Sequence, residues 1–111
     1  MAGKFELFTG NNNQFYWRLK AGNGEIILSS QAYKSKDAAI NGIESVQANA
    51  SDDARYERKD AKDDRAFFSL KAANGQIVGN SQMYASAASC ENGIRSVSEN
   101  APGASIDDQT G

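Results

Sequence analysis

Residues 15–21 alternate strictly. Phe15, Trp17 and Leu19 fall on one side, Tyr16, Arg18 and Lys20 on the other. Period two marks a strand with one buried face. Asn23-Gly24 follows as a turn, and residues 25–29, carrying Ile26, Ile27 and Leu28, read as the return strand of a hairpin. Asn-Gly favours a type I′ turn, in which both central residues take positive φ. Ahead of the hairpin, Phe5, Leu7 and Phe8 mark a first strand, and the Gly-Asn-Asn-Asn run at 10–13 is turn chemistry. The period then changes. Ala39, Ile43, Val46 and Ala50 recur at helical spacing, and Ser35 stands where a hydroxyl would cap the first turn.

This pattern occurs twice. Leu19-Lys20-Ala21-Gly22-Asn23-Gly24 matches Leu70-Lys71-Ala72-Ala73-Asn74-Gly75, and Asn41-Gly42-Ile43-Glu44-Ser45-Val46 matches Asn92-Gly93-Ile94-Arg95-Ser96-Val97, both at an offset of 51 residues. Ser30-Gln31, Tyr33 and Ser35 match Ser81-Gln82, Tyr84 and Ser86 at the same offset. A long ungapped match of this kind is the signature of internal duplication. The second copy therefore reads as the first does. Phe68 and Leu70 point inward, Asn74-Gly75 is the turn, Ser86 the cap, and Cys90, Ile94, Val97 and Ala101 the buried stripe. A short strand around Arg55-Tyr56-Glu57-Arg58 corresponds to Lys4-Phe5-Glu6-Leu7, with a charged loop at 60–65 after it. Gly42 and Gly93 fall in mid-helix, where glycine costs about 1 kcal/mol against alanine, which marks close packing.

The reading is an α+β fold: two tandem β-β-β-α repeats, residues 4–50 and 55–101, related by a pseudo-twofold in one domain spanning 1–111. An antiparallel sheet packs against two helices. One unit alone leaves a helix side and a sheet face uncovered, and a second copy supplies the cover. The chain is expected to be a monomer acting as an internal pseudo-dimer. Pro102-Gly103 stops the second helix, and residues 102–111 form a tail or a short edge strand centred on Ile106.

The run Phe15-Tyr16-Trp17-Arg18-Leu19-Lys20-Ala21-Gly22-Asn23-Gly24-Glu25-Ile26-Ile27, with Tyr33-Lys34-Ser35-Lys36 and Asn41-Gly42-Ile43-Glu44-Ser45-Val46, resembles the YegP-like family of small bacterial domains of unknown function. The resemblance covers nearly the whole chain. It implies a β-β-β-α unit that pairs within one chain when in tandem, and it brings no activity and no functional residues. The second copy departs from the first at Ser69 for Arg18, Phe68 for Trp17, and Ala85 and Ala87 for Lys34 and Lys36.

The 111 residues include 12 Lys and Arg against 14 Asp and Glu, a net charge of −2, so no global charge draws the chain to nucleic acid or anionic lipid. No run approaches the roughly 18 apolar residues of a membrane span, and the start lacks a signal-peptide core. With Cys90 as the single cysteine, no internal disulfide or cysteine metal cage forms. These features point to a soluble cytoplasmic protein. The sequence contains no histidine, which removes the commonest general base, and no phosphate-binding or nucleophile-elbow motif. No cofactor or metal is expected.

Cys90 corresponds to Ala39 on the helix stripe, so it reads as a buried small hydrophobe. Asp52-Asp53, Asp63-Asp64 and Asp107-Asp108 read as solvated loop carboxylates. The most informative surface is the outward side of the second strand, where Tyr16, Arg18 and Lys20 alternate, with Lys71 as the cation the second copy retains. The leading function is a non-enzymatic module that holds a protein partner through an edge strand or this basic-aromatic face. The alternative is weak single-stranded nucleic-acid binding through Tyr16, Arg18, Lys20 and Lys71, aromatic rings stacking bases and cations meeting phosphates. An enzyme acting through Cys90 or a carboxylate pair ranks last.

Overall fold

Each alternating run becomes a strand in a computed structural model that describes residues 3–60 and 65–110. The chain runs β1 (Lys4–Thr9), β2 (Phe15–Lys20), β3 (Ile26–Ser29), α1 (Lys36–Asn49), β4 (Tyr56–Asp60), β5 (Ala66–Lys71), β6 (Ile77–Asn80), α2 (Ala87–Asn100) and β7 (Ser105–Asp108). A single 3-10 turn, Asp53–Arg55, leads into β4. The seven strands form one sheet in the order β4-β5-β6-β3-β2-β1-β7.

Period two sorts the side chains. Phe5, Leu7, Trp17, Leu19, Leu28, Tyr56, Phe68 and Leu70 are buried on one face, together with the helix stripes Ala39, Ile43, Val46, Ala50 and Cys90, Ile94, Val97, Ala101. Both helices share this one core and leave the other face of the sheet open. Ser35 and Ser86 cap the helices as expected, each Oγ accepting a backbone N–H at 3.1 Å, from Ala38 and Ser89.

The hairpin turns differ from the expected type I′. Gly24 alone takes positive φ (88°), and among the described non-glycine residues only Asn13 does. The Gly24 N–H donates to the Ala21 carbonyl at 2.9 Å and the Ala21 N–H to Glu25 at 2.8 Å, closing a three-residue loop with a left-handed glycine. Asn23 instead uses its side chain, Oδ1 accepting the Glu25 N–H at 3.0 Å. Residues 72–76 repeat the geometry, with Gly75 at φ 87°. At 10–14 the same closure puts Asn13 in the left-handed position, which asparagine tolerates better than most residues.

The sheet also departs from the expected all-antiparallel arrangement. The edge strand foreseen near Ile106 forms, but it pairs parallel with β1, Lys4 opposite Ser105 and Leu7 opposite Asp108. After α2 the chain turns at 101–104, where Gln47 of α1 donates to the Ala104 carbonyl at 3.1 Å, and then runs beside β1 in the same direction. The Gln109 N–H extends the ladder to the Leu7 carbonyl at 2.7 Å.

The glycines in mid-helix have a packing role. A Cβ on Gly42 would lie 2.3 Å from the Tyr33 hydroxyl, and one on Gly93 equally close to that of Tyr84, so each tyrosine ring closes over its helix. Gly79 in β6 occupies the position of Leu28 at the 51-residue offset, and a Cβ there would lie 2.9 Å from Leu28 Cγ and 3.1 Å from Trp17 Cη2. Tyr56 stands where the first copy has Phe5, and its buried hydroxyl donates to the Ala50 carbonyl at 2.6 Å. Tyr56→Phe orphans that carbonyl and is expected to cost about 1 kcal/mol in urea unfolding. An unchanged midpoint would show that the bond adds nothing to stability.

Candidate functional site

The open face is made by the strand residues that alternate with the core. β1 contributes Lys4, Glu6 and Phe8, and β2 contributes Tyr16, Arg18 and Lys20. β4 contributes Glu57 and Lys59, and β5 contributes Phe67, Ser69 and Lys71. The Tyr16, Arg18 and Lys20 of the sequence reading thus share one strand on the uncovered side. Lys71 shares the face but stands three strands away across β3 and β6, roughly 14 Å at ordinary strand spacing. Tyr16 and Phe67 do not meet. Tyr16 stacks on Phe8 with centroids 5.7 Å apart, and Phe67 lies beneath Lys59 at 5.8 Å.

Two glutamates that sequence reasoning passed over organise this face. Glu6 is almost wholly buried and receives Arg18 Nε at 2.6 Å, Lys20 at 3.2 Å and Lys4 at 3.8 Å. The hydrogen bond from Arg18, helped by Lys20, holds its carboxyl below the usual carboxylate range against the opposing effect of burial. Arg18 also spreads over the Phe8 ring at 4.8 Å. Glu57, at the same place in the second copy, is held by Lys71 and, at 3.2 Å, by Lys59. Its pKa is lowered chiefly by the Lys71 contact. Ser69, standing for Arg18, donates to Asn80 Oδ1 at 2.6 Å instead of to a carboxylate. The available signal was parity: Glu6 and Glu57 share the face of the cations at the repeat offset.

On the strands of this face, among the described residues, five cations stand against three carboxylates, Glu6, Glu57 and Asp107. Asp107 pairs with Lys4 at 3.7 Å. The face is therefore positive in a chain whose net charge is −2.

The other candidates fall elsewhere. Cys90 is buried on α2, and burial pushes its thiol up, away from the thiolate a nucleophile needs. Asp52 accepts the Ala54 N–H at 3.1 Å, Asp53 pairs with Arg58 at 2.9 Å, and Asp108 pairs with Lys36. Asp63-Asp64 lies outside the described residues. No group of three or more potential metal ligands occurs among the described residues, and no described helix is long and apolar enough to cross a membrane.

A seven-stranded sheet with both helices on one side and a salt-bridged opposite face defines the class: a small one-sided α+β module. The domain family described as "Domain of unknown function (DUF1508)" matches the chain twice, at residues 11–57 and 61–108. The UPF0339 protein of Shewanella oneidensis is 54% identical over 99% of this chain and all of its own length. The UPF0339 protein YegP of Escherichia coli K12 is 52% identical with the same coverage. The solution NMR structures of the Shewanella and Escherichia coli proteins each superpose with a TM-score of 0.94, covering 99% and 100% of this chain and 93% and 96% of theirs. The chain belongs to the UPF0339, or YegP, family.

Proposed function

We propose that this protein is a monomeric, cytoplasmic, non-enzymatic interaction module, and that its open sheet face holds an acidic segment of a protein partner. The observation that carries the reading is the uncovered face itself, with its excess of cations and its half-buried rings Phe8, Tyr16 and Phe67. A partner carboxylate would share Arg18, Lys20 or Lys71 with Glu6 or Glu57, and the rings supply contact area at low entropic cost.

The same reading makes the chain two repeats, 4–50 and 55–101, related by a pseudo-twofold. Ser29 of β3 pairs antiparallel with Asn80 of β6, and these two residues are at the repeat offset from one another, as pairing about a twofold requires. Gln31 crosses that seam to donate to the Ile77 carbonyl at 3.1 Å, and each helix packs partly on the other copy's strands, α1 on β5 and β6, α2 on β3. The double family match agrees with this division.

Single-stranded nucleic acid is the second reading, favoured by the cation–ring pairs Arg18–Phe8 and Lys59–Phe67. Against it, the chain as a whole carries a net charge of −2, which gives no long-range attraction to a phosphate backbone.

The test is affinity capture from lysate of the native host, nuclease-treated and untreated, with the unmodified protein and a Lys20→Ala, Lys71→Ala variant as baits. A protein retained after nuclease and reduced at least about tenfold with the variant is the expected result. Equal retention by both baits moves the site off this face, and loss on nuclease treatment moves the weight to nucleic acid.

A further inference from the structure

Two clefts lie on the helix side, away from the open sheet face, where each helix looks onto the hairpin of the other copy. The first, about 330 Å³, is bounded by Tyr33, Asn41, Gly42 and Ser45 on the α1 side and by Asn74 and Gln76 of the β5–β6 hairpin. The second, about 210 Å³, is bounded by Tyr84, Asn92, Gly93 and Ser96 on the α2 side and by Asn23 and Glu25 of the β2–β3 hairpin. Ten of the lining positions correspond at the 51-residue offset; seven of these pairs are identical, and Gln76 against Glu25, Ala38 against Ser89 and Val78 against Ile27 differ.

Some helix positions outside the clefts have diverged between the copies: Glu44 stands against Arg95 and Lys36 against Ala87. Folding explains part of the retention in the clefts. The tyrosines close on the glycines, Asn23 and Asn74 bind turn amides, and Ser45 accepts from Asn49. It does not explain Asn41 and Asn92. Both are exposed in mid-helix, where asparagine is a poor helix former, and among the described hydrogen bonds Asn41 makes none through its side chain while Asn92 accepts one long contact from Arg95 at 3.5 Å. Trp17, 1% exposed, packs beneath Gly42 with its indole N–H unpaired among the described residues, 3.0 Å from where a Cβ on Gly42 would stand, and does not itself line the cleft.

We propose that the two clefts are ligand sites of one class, each taking a unit of a neutral saccharide. Carboxamides and hydroxyls both donate and accept, so they match a ligand whose neighbouring groups do the same, as sugar hydroxyls do. The first cleft is lined without a charged side chain, so a phosphate or carboxylate would find no countercharge there. Tyr33, Ala72 and Val78 supply an apolar wall for a sugar's C–H face, and the volume is at the small end of ligand sites, enough for one or two rings. Asn41 and Asn92 reach the ligand's hydroxyls.

The test is an amide-resolved NMR titration of the full chain with N-acetylglucosamine, maltose and glucose 6-phosphate. The expected result is a dissociation constant of about 1–10 mM for a neutral sugar, with shifts at Asn41, Gly42 and Asn74 and at Asn92, Gly93 and Asn23. Asn41→Ala, at an exposed helical position that favours alanine, should weaken the first site at least tenfold and leave the second intact, and Asn92→Ala should do the reverse. Absence of shifts with both neutral sugars overturns the proposal. So do shifts confined to the open sheet face, shifts unchanged in both variants, or tighter binding of the sugar phosphate than of either neutral sugar.

Discussion

Gly79→Leu destabilises the protein by about 3 kcal/mol, because a side chain there enters space already filled by Leu28 and Trp17. Leu28→Gly, the opposite change at the matching position, costs about 4 kcal/mol by leaving a cavity against Leu19 and the helices. The two positions are diagonal neighbours across the β3–β6 seam, and a side chain at 79 would meet that of Leu28, so the core there has room for a single leucine. The exchanged double variant, with leucine at 79 and glycine at 28, is therefore expected to be at least about 2 kcal/mol more stable than the sum of the single effects predicts. Chemical denaturation of the four proteins measures the coupling. Strict additivity would mean that the two sites do not share volume, and would remove this account of why one copy carries leucine and the other glycine.

Glu6→Gln is expected to cost about 2 kcal/mol at neutral pH, since Arg18 and Lys20 lose a nearly buried anion. Hydrogen bonding from Arg18, with Lys20 second, depresses the folded pKa of Glu6. A depressed carboxylate contributes stability that is fully present above its unfolded pKa of about 4.3 and is lost as pH falls through the folded value. The stability difference between the unmodified protein and Glu6→Gln should thus be flat from neutrality down to about pH 5 and then shrink in more acid solution. Glu57, Glu91 and Asp108 are shifted in the same direction, so both proteins lose stability in acid, and only the difference reports on Glu6. Thermal unfolding from neutral to acid pH tests this, and a difference that stays constant or widens in acid contradicts it.

What the sequence disclosed and withheld follows from the range of each force. Alternation at 15–20 and the helix stripes were legible because burial is written at fixed periods, and Ser35 and Ser86 were legible because a cap acts within three residues. The Asn23-Gly24 turn was placed correctly but mistyped, since Asn23 spends its side chain on the Glu25 amide and leaves only Gly24 left-handed. The parallel pairing of β7 had no local sign. Ser105-Ile106-Asp107-Asp108 has one apolar residue, and its register depends on where α2 delivers the chain. On the candidate face, the cations were visible as alternation. The burial of Glu6 was not, because the basic neighbours on β2 that bury it stand twelve and fourteen residues away in sequence.

The placement of β7 bears on how the chain emerges from the ribosome. β2 can zip onto the inner edge of β1 after a short loop, but the outer edge waits roughly a hundred residues for Ser105–Asp108. For most of synthesis the nascent protein carries an unpaired strand bearing Phe5 and Leu7, a template for joining another copy. Lys4 and Lys36 hold the late-arriving Asp107 and Asp108 in place, so the last pairing to form moves the open edge from β1 to a four-residue strand with a single apolar side chain, a poorer template for another copy.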